Sequence, residues 1–398
     1  MLTVDGCKAR RKRLFERLDP SVDWVILADP QHLMYFANYF QSPFVFRSTN
    51  ANAMLLFSRA GESILVADNL LGVFAELAHV DRTHLPVWYA GKASAPHREG
   101  MLVEQTLKLL EQTSGTTLGV EHAAVPAGIV AGLQSKKGGK VSFPAVDSAI
   151  HELKRRKDED EMALMRRSMK AGEAGFAAAL QNVRAGMTER DVFSLVERAA
   201  MEAAGEQVLV YGDFVSGARC EQVGGPPTDR VIEKGDLFLL DFSVVVAGYR
   251  GDFANTFVVD GAPTDTHRRL YEACIDAMNA GEEQLRAGVP CVHVDRAVRN
   301  SLAAKHLAEN FPGHAGHGLG LGHPDPPYIV PESTDTLLAG DVVTLEPGQY
   351  IKGVAGMRLR EELFNNGKRL RAADEPRGLH WSKQHKNQQP WRSHGTKV

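Results

Sequence analysis

The sequence predicts a chain of mixed α-helices and β-strands that folds as two domains. Its 398 residues are more than one hydrophobic core ordinarily holds. The first 150 residues alternate strand-like and helix-like segments, which is typical of an α/β domain. Beyond them, an apolar hairpin and two pairs of helical stretches predict a second domain of helices and strands. We therefore expect a domain boundary near residue 150.

The first domain is expected to contain at least three strands and one long helix. Apolar runs at residues 24–28, 53–57 and 63–66 predict the strands, and apolar residues recur at helical spacing over residues 98–111. A mixed-charge run then follows at residues 151–162, which is typical of a linker that continues into a helix.

The second domain contains a weak internal repeat. The tripeptide Arg-Ala-Gly occurs at residues 184–186 and again at 286–288, each time between two helical stretches. After the first copy, Thr188 with Asp191 predicts a helix N-cap, and Gly205 predicts the end of that helix.

An apolar hairpin carries two aspartates. Residues 236–246 predict a buried strand, and Gly248 marks a turn into a second strand. Asp241 and Asp252 would then lie in the interior, where an unpaired carboxylate costs several kcal/mol. Two such carboxylates favour a bound cation. The alternative is that Asp252 merely sits in the turn.

Further candidate ligands follow downstream, in Gly316-His317-Gly318, in Glu346-Pro347-Gly348 and in a cluster of arginines and glutamates at residues 358–362. Carboxylates with one imidazole suit Mn²⁺, Co²⁺ or Zn²⁺. Two bridged cations about 3.5 to 4 Å apart would hold a hydroxide between them. His317 alone could equally be a turn residue, because His314 and His323 lie close by in the sequence.

In this order, the two aspartates, Gly-His-Gly, Glu-Pro-Gly and Gly356-Met357-Arg358 resemble the aminopeptidase P, prolidase and creatinase superfamily, over roughly residues 5–358. The resemblance implies a creatinase-like N-terminal α/β domain at residues 1–150. It also implies an α+β catalytic domain of the pita-bread fold at residues 151–370, whose pseudo-two-fold symmetry the repeat fits. A homodimer is implied as well.

The resemblance also implies the reaction, which is hydrolysis of a short amide by two divalent ions, with Mn²⁺ expected first and Co²⁺ or Zn²⁺ as alternatives. The substrate would be an Xaa-Pro peptide or another small amide derived from an amino acid. The implied metal ligands and substrate contacts are Asp241, Asp252, His317 and Glu346 for the metal, and His323 and Arg358 for the substrate. Glu346 would also take the proton from the attacking water.

The first departure from the family pattern concerns a histidine that faces the substrate. Aligned without gaps, Gly224 stands at its position. The missing histidine counts against ordinary Xaa-Pro peptidase activity and raises the chance of an unusual amide substrate. Arg219, in the same loop, is expected to bind a substrate carboxylate.

The second departure is at the bridging glutamate of the family, where this chain has Arg360 followed by Glu361 and Glu362. Glu361 would have to act as the fifth ligand through a one-residue slip, which reverses the face of a strand. We therefore expect weakened metal binding. The codons from Leu359 onward, read one nucleotide later, can encode a family-like ending, so we hypothesise a frameshift near Arg358. Residues 371–398 are expected to form a basic, disordered tail.

Composition excludes several other classes of function. Charged residues make up 24% of the chain and the formal net charge is −3, which favours neither nucleic acid nor a membrane surface as partner. No apolar run of about 18 residues and no secretion signal are found, so we expect a cytoplasmic protein. The four scattered cysteines are expected to be reduced thiols.

Two alternatives to the metal-dependent hydrolase stay open. One is a non-peptidase on the same fold, similar to the ectoine hydrolases or to creatinase, the latter without metal. The other is a catalytically impaired or inactive binding protein, which Arg360 and Gly224 favour.

Overall fold

A computed structural model describes residues 1–48, 51–113, 116–137 and 141–364. The chain divides into two compact units. Unit 1 comprises residues 1–154 and 158–164, and unit 2 comprises residues 155–157 and the chain from Met165 onward. The predicted tail at residues 371–398 lies outside the described residues.

Unit 1 is a mixed sheet with helices. Its helices are α1 (Val4–Phe15), α2 (Pro30–Ala37), α3 (Gly72–Ala75), α4 (Arg98–Glu111), α5 (Ala127–Lys137) and α6 (Asp147–Arg155). Its strands are β1 (Trp24–Leu27), β2 (Met54–Ser58), β3 (Ser63–Val66), β4 (Arg82–His84) and β5 (Leu118–Val120). The three strands and the helix predicted for this region are thus confirmed.

The sheet order is β4-β3-β2-β1-β5, with β1 parallel to β5 and β3 parallel to β4. Helices α4 and α5 cover this sheet through one apolar cluster, in which Leu110 and Ile129 join Ile26, Leu56 and Ile64. Burial of these side chains, at roughly 1.5–3 kcal/mol each, stabilises unit 1.

A buried ion-pair network also stabilises unit 1. Arg10 of α1 is inaccessible to solvent and donates to Asp160 Oδ1 at 2.9 Å, to Asp158 Oδ2 at 3.1 Å and to the Tyr35 carbonyl at 2.8 Å. Burial opposes ionisation of Asp160, but the hydrogen bonds from Arg10 and Thr3 outweigh it and lower the pKa of Asp160 to about 2.

We expect Asp160→Asn to lower the free energy of unfolding at pH 7 by about 2 kcal/mol, because a charged hydrogen bond is lost. A carboxylate whose pKa is depressed on folding stabilises above its unfolded pKa, near 4, and that stabilisation is lost as the pH falls towards 2. Urea unfolding from pH 7 to pH 3 should therefore show the variant and the wild type converging. Asp23→Asn, at an exposed position, is the control, and a difference independent of pH would contradict the expectation.

Up to residue 364, where the described chain ends, unit 2 contains four long helices and three antiparallel sheets. The helices are α7 (Glu159–Asn182, which begins in unit 1), α8 (Glu189–Ala204), α9 (Asp265–Glu282) and α10 (Cys291–Ala303). The first sheet has the order β6-β7-β8, from β6 (Leu209–Ser216), β7 (Leu237–Val246) and β8 (Tyr249–Val258).

The second sheet has the order β10-β9-β11-β14, and the third pairs β12 with β13. Their strands are β9 (Gly316–Gly318), β10 (Asp325–Ile329), β11 (Val342–Leu345), β12 (Gly348–Ile351), β13 (Ala355–Arg358) and β14 (Glu361–Phe364).

Local signals in the sequence set the ends of α8. Thr188 and Asp191 form a reciprocal capping box at its start, and Gly205 ends it in the left-handed conformation at φ 71°. Both predictions are confirmed.

The aspartate hairpin is β7 paired with β8. Asp252 lies opposite Ser243, and Asp241 lies two residues from Ser243 on the same strand, so both carboxylates point to one face. Asp241 is 3% exposed and Asp252 is 1% exposed. The turn falls at Ala247 and Gly248, so the alternative position of Asp252 in the turn is wrong.

The glycines around His317 allow neighbouring strands to approach. A Cβ at Gly316 would lie 1.9 Å from the Thr344 carbonyl oxygen, and one at Gly318 would lie 2.1 Å from that of Pro326. These distances are far below contact, so only glycine fits at either position. The two glycines hold β9 tightly between β11 and β10.

All four cysteines are buried and none forms a disulfide, so the prediction of free thiols is confirmed. Cys7 lies in unit 1, and Cys220, Cys274 and Cys291 lie in unit 2. Within the described part of the chain, no helix is both long and apolar enough to cross a membrane.

Candidate active site

Strands of two sheets bring four of the predicted ligands together. The hairpin supplies Asp241 and Asp252, β9 supplies His317, and Glu346 directly follows β11. Strand β11 pairs with β9 so that Thr344 lies opposite His317, which places Glu346 close to the imidazole. All four side chains are buried.

Imidazoles form one side of this cluster. His317 Nε2 lies 3.2 Å from Glu346 Oε1 and 3.7 Å from Asp252 Oδ2. Its Nδ1 lies 2.9 Å from the Gly318 carbonyl, and a hydrogen bond there directs Nε2 towards the carboxylates. His323 Nε2 lies 3.1 Å from Asp252 Oδ2, and His314 Nε2 lies 2.6 Å from Glu346 Oε1.

The guanidinium of Arg360 forms the other side. Its Nη1 donates to Asp241 Oδ1 and to Asp252 Oδ1, each at 2.5 Å. Its Nε donates to Glu346 Oε2 at 3.1 Å, and its Nη2 donates to the same oxygen. One arginine thus binds all three carboxylates.

Arg358, predicted to bind substrate, lies beside Arg360 in the same cluster. It donates through Nη1 to Asp241 Oδ2 and, at 3.1 Å, to Asp213 Oδ2. Its Nε donates to the Tyr350 hydroxyl at 2.7 Å. Both oxygens of Asp241 are therefore hydrogen-bonded to arginines.

The arginines favour the charged forms of the buried carboxylates, but not equally: burial raises the pKa of Asp241 to about 6 although Arg360 and Arg358 oppose it. Burial disfavours ionisation of Asp252 and Glu346, but Arg360 outweighs it, with help from the nearby histidines, and the pKa of each carboxyl is lowered. Burial likewise disfavours the charged form of Arg360, yet the three carboxylates raise its pKa well above the usual value. A base with a depressed pKa accepts a proton less readily.

These residues do not fit two divalent ions. Asp241 has no oxygen free of an arginine, and Arg360 also occupies Asp252 Oδ1 and Glu346 Oε2. A single ion does fit on the imidazole side. Among the described residues, two sets of possible ligands share His317, and within each set the ligand atoms lie within 4.8 Å of one another. The first set is Asp252, His317 and His323; the second is His314, His317 and Glu346.

The structure does not bring Glu361 or Arg219 to the cluster. Glu361 has an exposed side chain, because it follows Arg360 in an extended chain and points to the opposite face. Arg219 pairs with the buried Glu189 and donates to the Pro226 carbonyl at 3.0 Å. Both residues stay sequence-based predictions without support from these contacts.

Glu362, unlike Glu361, is buried, and its carboxylate binds the backbone of β8. Its Oε1 accepts from the Asp252 N–H, and its Oε2 has no hydrogen-bond partner among the described residues. Burial raises the pKa of Glu362 well above its usual value.

Two members of the cluster were not predicted from the sequence. His314 was named only as a neighbour of His317, although it contacts Glu346. Asp213 lies opposite Asp241 in the β6–β7 register, and its carboxylate fills the space beside Gly224, where a Cβ would lie 2.1 Å from Asp213 Oδ2. The signal for Asp213 is a carboxylate in a strand that pairs with the aspartate hairpin.

Comparison with known proteins identifies the family. The sequence profile of metallopeptidase family M24 matches residues 163–364, just over half of the chain. This chain belongs to metallopeptidase family M24. The superfamily, the pita-bread fold and the class of hydrolase predicted from the sequence are thereby confirmed.

The named relatives are distant in sequence. The Xaa-Pro dipeptidase of Pyrococcus horikoshii is 29% identical over 257 residues, which are 64% of this chain and 72% of the relative. An uncharacterized peptidase of Staphylococcus aureus is 28% identical over 228 residues, and the match covers 63% of its length.

Solved structures match over most of the chain. The prolidase from Pyrococcus horikoshii aligns with a TM-score of 0.74 and 25% identity, covering 90% of this chain and 96% of that one. The Xaa-Pro dipeptidase from Bacillus anthracis aligns with a TM-score of 0.77 over 94% and 99% of the two chains; at 22% identity this shows the fold alone.

Proposed function

We propose that this M24 chain hydrolyses the amide bond of a short substrate, such as an Xaa-Pro dipeptide, with the help of one divalent ion. The observation that carries the proposal is the convergence of Asp252, His317, His323 and Glu346 on one side of a buried cluster. The names of the relatives support the choice of substrate, because an Xaa-Pro dipeptidase and prolidases are among them.

Asp252, His317 and His323, one of the sets whose ligand atoms lie within 4.8 Å of one another, would hold the ion, which when bound would polarise the substrate carbonyl and lower the pKa of a water. Glu346 Oε1 would accept the proton of the attacking water, because this oxygen faces the imidazoles rather than Arg360. His323, the partly exposed member of this set, would lie on the side from which the substrate approaches. Since Arg360 depresses the pKa of Glu346, we expect slow turnover.

The metal preference also follows from the donor set. In the set of Asp252, His317 and His323, two imidazole nitrogens stand beside one carboxylate oxygen, and such a set favours Zn²⁺ or Co²⁺ over Mn²⁺. Mn²⁺, the homodimer and the cytoplasmic location stay predictions of the sequence.

A second candidate is a binding protein or an enzyme that works without metal. The arginines favour it, because Arg358 and Arg360 already balance much of the charge that would otherwise attract cations.

The panel that tests both candidates contains Ala-Pro, Ala-Ala, a tripeptide with proline second, and a small cyclic amino-acid amide. We expect hydrolysis of Ala-Pro by protein loaded with Zn²⁺ or Co²⁺, and its loss after chelation and in His317→Ala. Product amino acids are quantified by chromatography. No product from any member of the panel, with protein that is folded and carries metal, would refute the hydrolase. Hydrolysis that survives chelation and His317→Ala would favour the second candidate.

A further inference from the structure

We propose that the guanidinium of Arg360 is a permanent internal cation that replaces one of the two metal ions of an M24 site. The inference concerns the charge balance of the cluster and does not depend on whether the proposed hydrolysis is found. It makes the chain a protein that binds one ion at most.

The contacts of Arg360 carry the proposal. Its Nη1 donates to one oxygen of Asp241 and one oxygen of Asp252, each at 2.5 Å. Its Nε and Nη2 both donate to a single oxygen of Glu346. A guanidinium offers five N–H groups in a planar fork, which allows one side chain to bind several carboxylates. The guanidinium thus supplies positive charge to the same carboxylate oxygens that a divalent ion would otherwise neutralise.

The guanidinium is also held in place. The Arg360 N–H donates to the Ala254 carbonyl at 3.0 Å, which fixes its backbone beside β8, next to Asp252. Its side chain is only 7% exposed. An arginine is not deprotonated in proteins, so this charge persists at every pH at which the protein is folded.

The carboxylates divide their oxygens between the two sides of the cluster. Asp252 uses Oδ1 for Arg360 and presents Oδ2 to His317 and His323. Glu346 uses Oε2 for Arg360 and presents Oε1 to His314 and His317. One ion position is thus filled by the protein itself, and the other retains its donors.

Without the guanidinium, the stability of the protein should therefore depend on a bound divalent ion. In Arg360→Met, Asp241, Asp252 and Glu346 lose the cation they share, and breaking a buried ion pair in this way is strongly destabilising. In Arg360→Glu, a fourth carboxylate is added where the guanidinium stood. Divalent ions should restore stability to both variants.

The test measures metal content and thermal unfolding rather than activity. Purified full-length protein is dialysed against Zn²⁺, Co²⁺ or Mn²⁺, freed of excess ion and analysed for elemental composition. We expect one ion per chain or fewer in the wild type and two in Arg360→Glu. Arg296→Glu makes the same change of charge at an exposed position of unit 2, and it should retain the wild-type metal content.

Thermal unfolding covers the case in which Arg360→Glu does not fold. The midpoint of Arg360→Met in a chelator should fall by about 10 °C, and added divalent ion should recover most of that fall. Two ions per wild-type chain would overturn the proposal. So would an Arg360→Glu variant that folds but gains no ion, or an Arg360→Met midpoint that neither falls in chelator nor responds to metal.

Discussion

Glu346→Gln is expected to lower kcat on a proline-containing dipeptide by about 10²-fold, at the lower end of what a positioned general base contributes. The amide cannot accept a proton from water, whereas the Glu346 carboxylate presents Oε1 to the imidazole side of the cluster. A larger fall in kcat is not expected, because Arg360 already depresses the pKa of this carboxyl and makes it a weaker base. Initial rates at saturating substrate and equal metal content provide the measurement.

The control for Glu346→Gln is Glu332→Gln, at an exposed position of unit 2. Thermal midpoints of both variants show whether a lost contact to Arg360 has unfolded the site. A Glu346→Gln variant that is folded, loaded with metal and as active as the wild type would assign the proton transfer to another group.

Gly316→Ala is expected to lower the free energy of unfolding by about 3 kcal/mol, the upper part of the range for overpacking. The added methyl would lie 1.9 Å from the Thr344 carbonyl oxygen, so β9 and β11 must separate. Their separation would also move His317 away from Glu346. Denaturant unfolding followed by circular dichroism measures the change in stability.

Gly313→Ala is the matched control, because it lies three residues away and its new methyl would meet only Phe311, at an ordinary 3.9 Å. Its free energy of unfolding should change by less than about 0.5 kcal/mol. Equal effects at the two positions would mean that close approach of the strands is not what requires glycine at residue 316.

The parts of the fold that the sequence predicted are those that local patterns determine. The capping box at Thr188, the αL glycine at Gly205 and the aspartate hairpin each depend on residues close in the chain. The family motifs then predicted that Asp241, Asp252, His317 and Glu346 would meet, although the strands that carry them belong to different sheets.

The rest depends on how distant strands align. Asp213 reaches the cluster only because β6 pairs with β7 in the register that sets it opposite Asp241. The outward direction of Glu361 follows from the position of Arg360, whose N–H is bonded to Ala254. The sequence predicted an arginine facing the metal centre, but not that it would contact three carboxylates at once.

Because all four cysteines are buried, the reactivity of their thiols measures the unfolding of the unit that contains them. A thiol reagent in the solvent can modify Cys7 only when unit 1 opens, and Cys220, Cys274 or Cys291 only when unit 2 opens. Peptide mapping of the modified thiols would therefore order the two openings along a denaturant series. The natural sequence thus already contains a probe for each unit, and no label needs to be engineered.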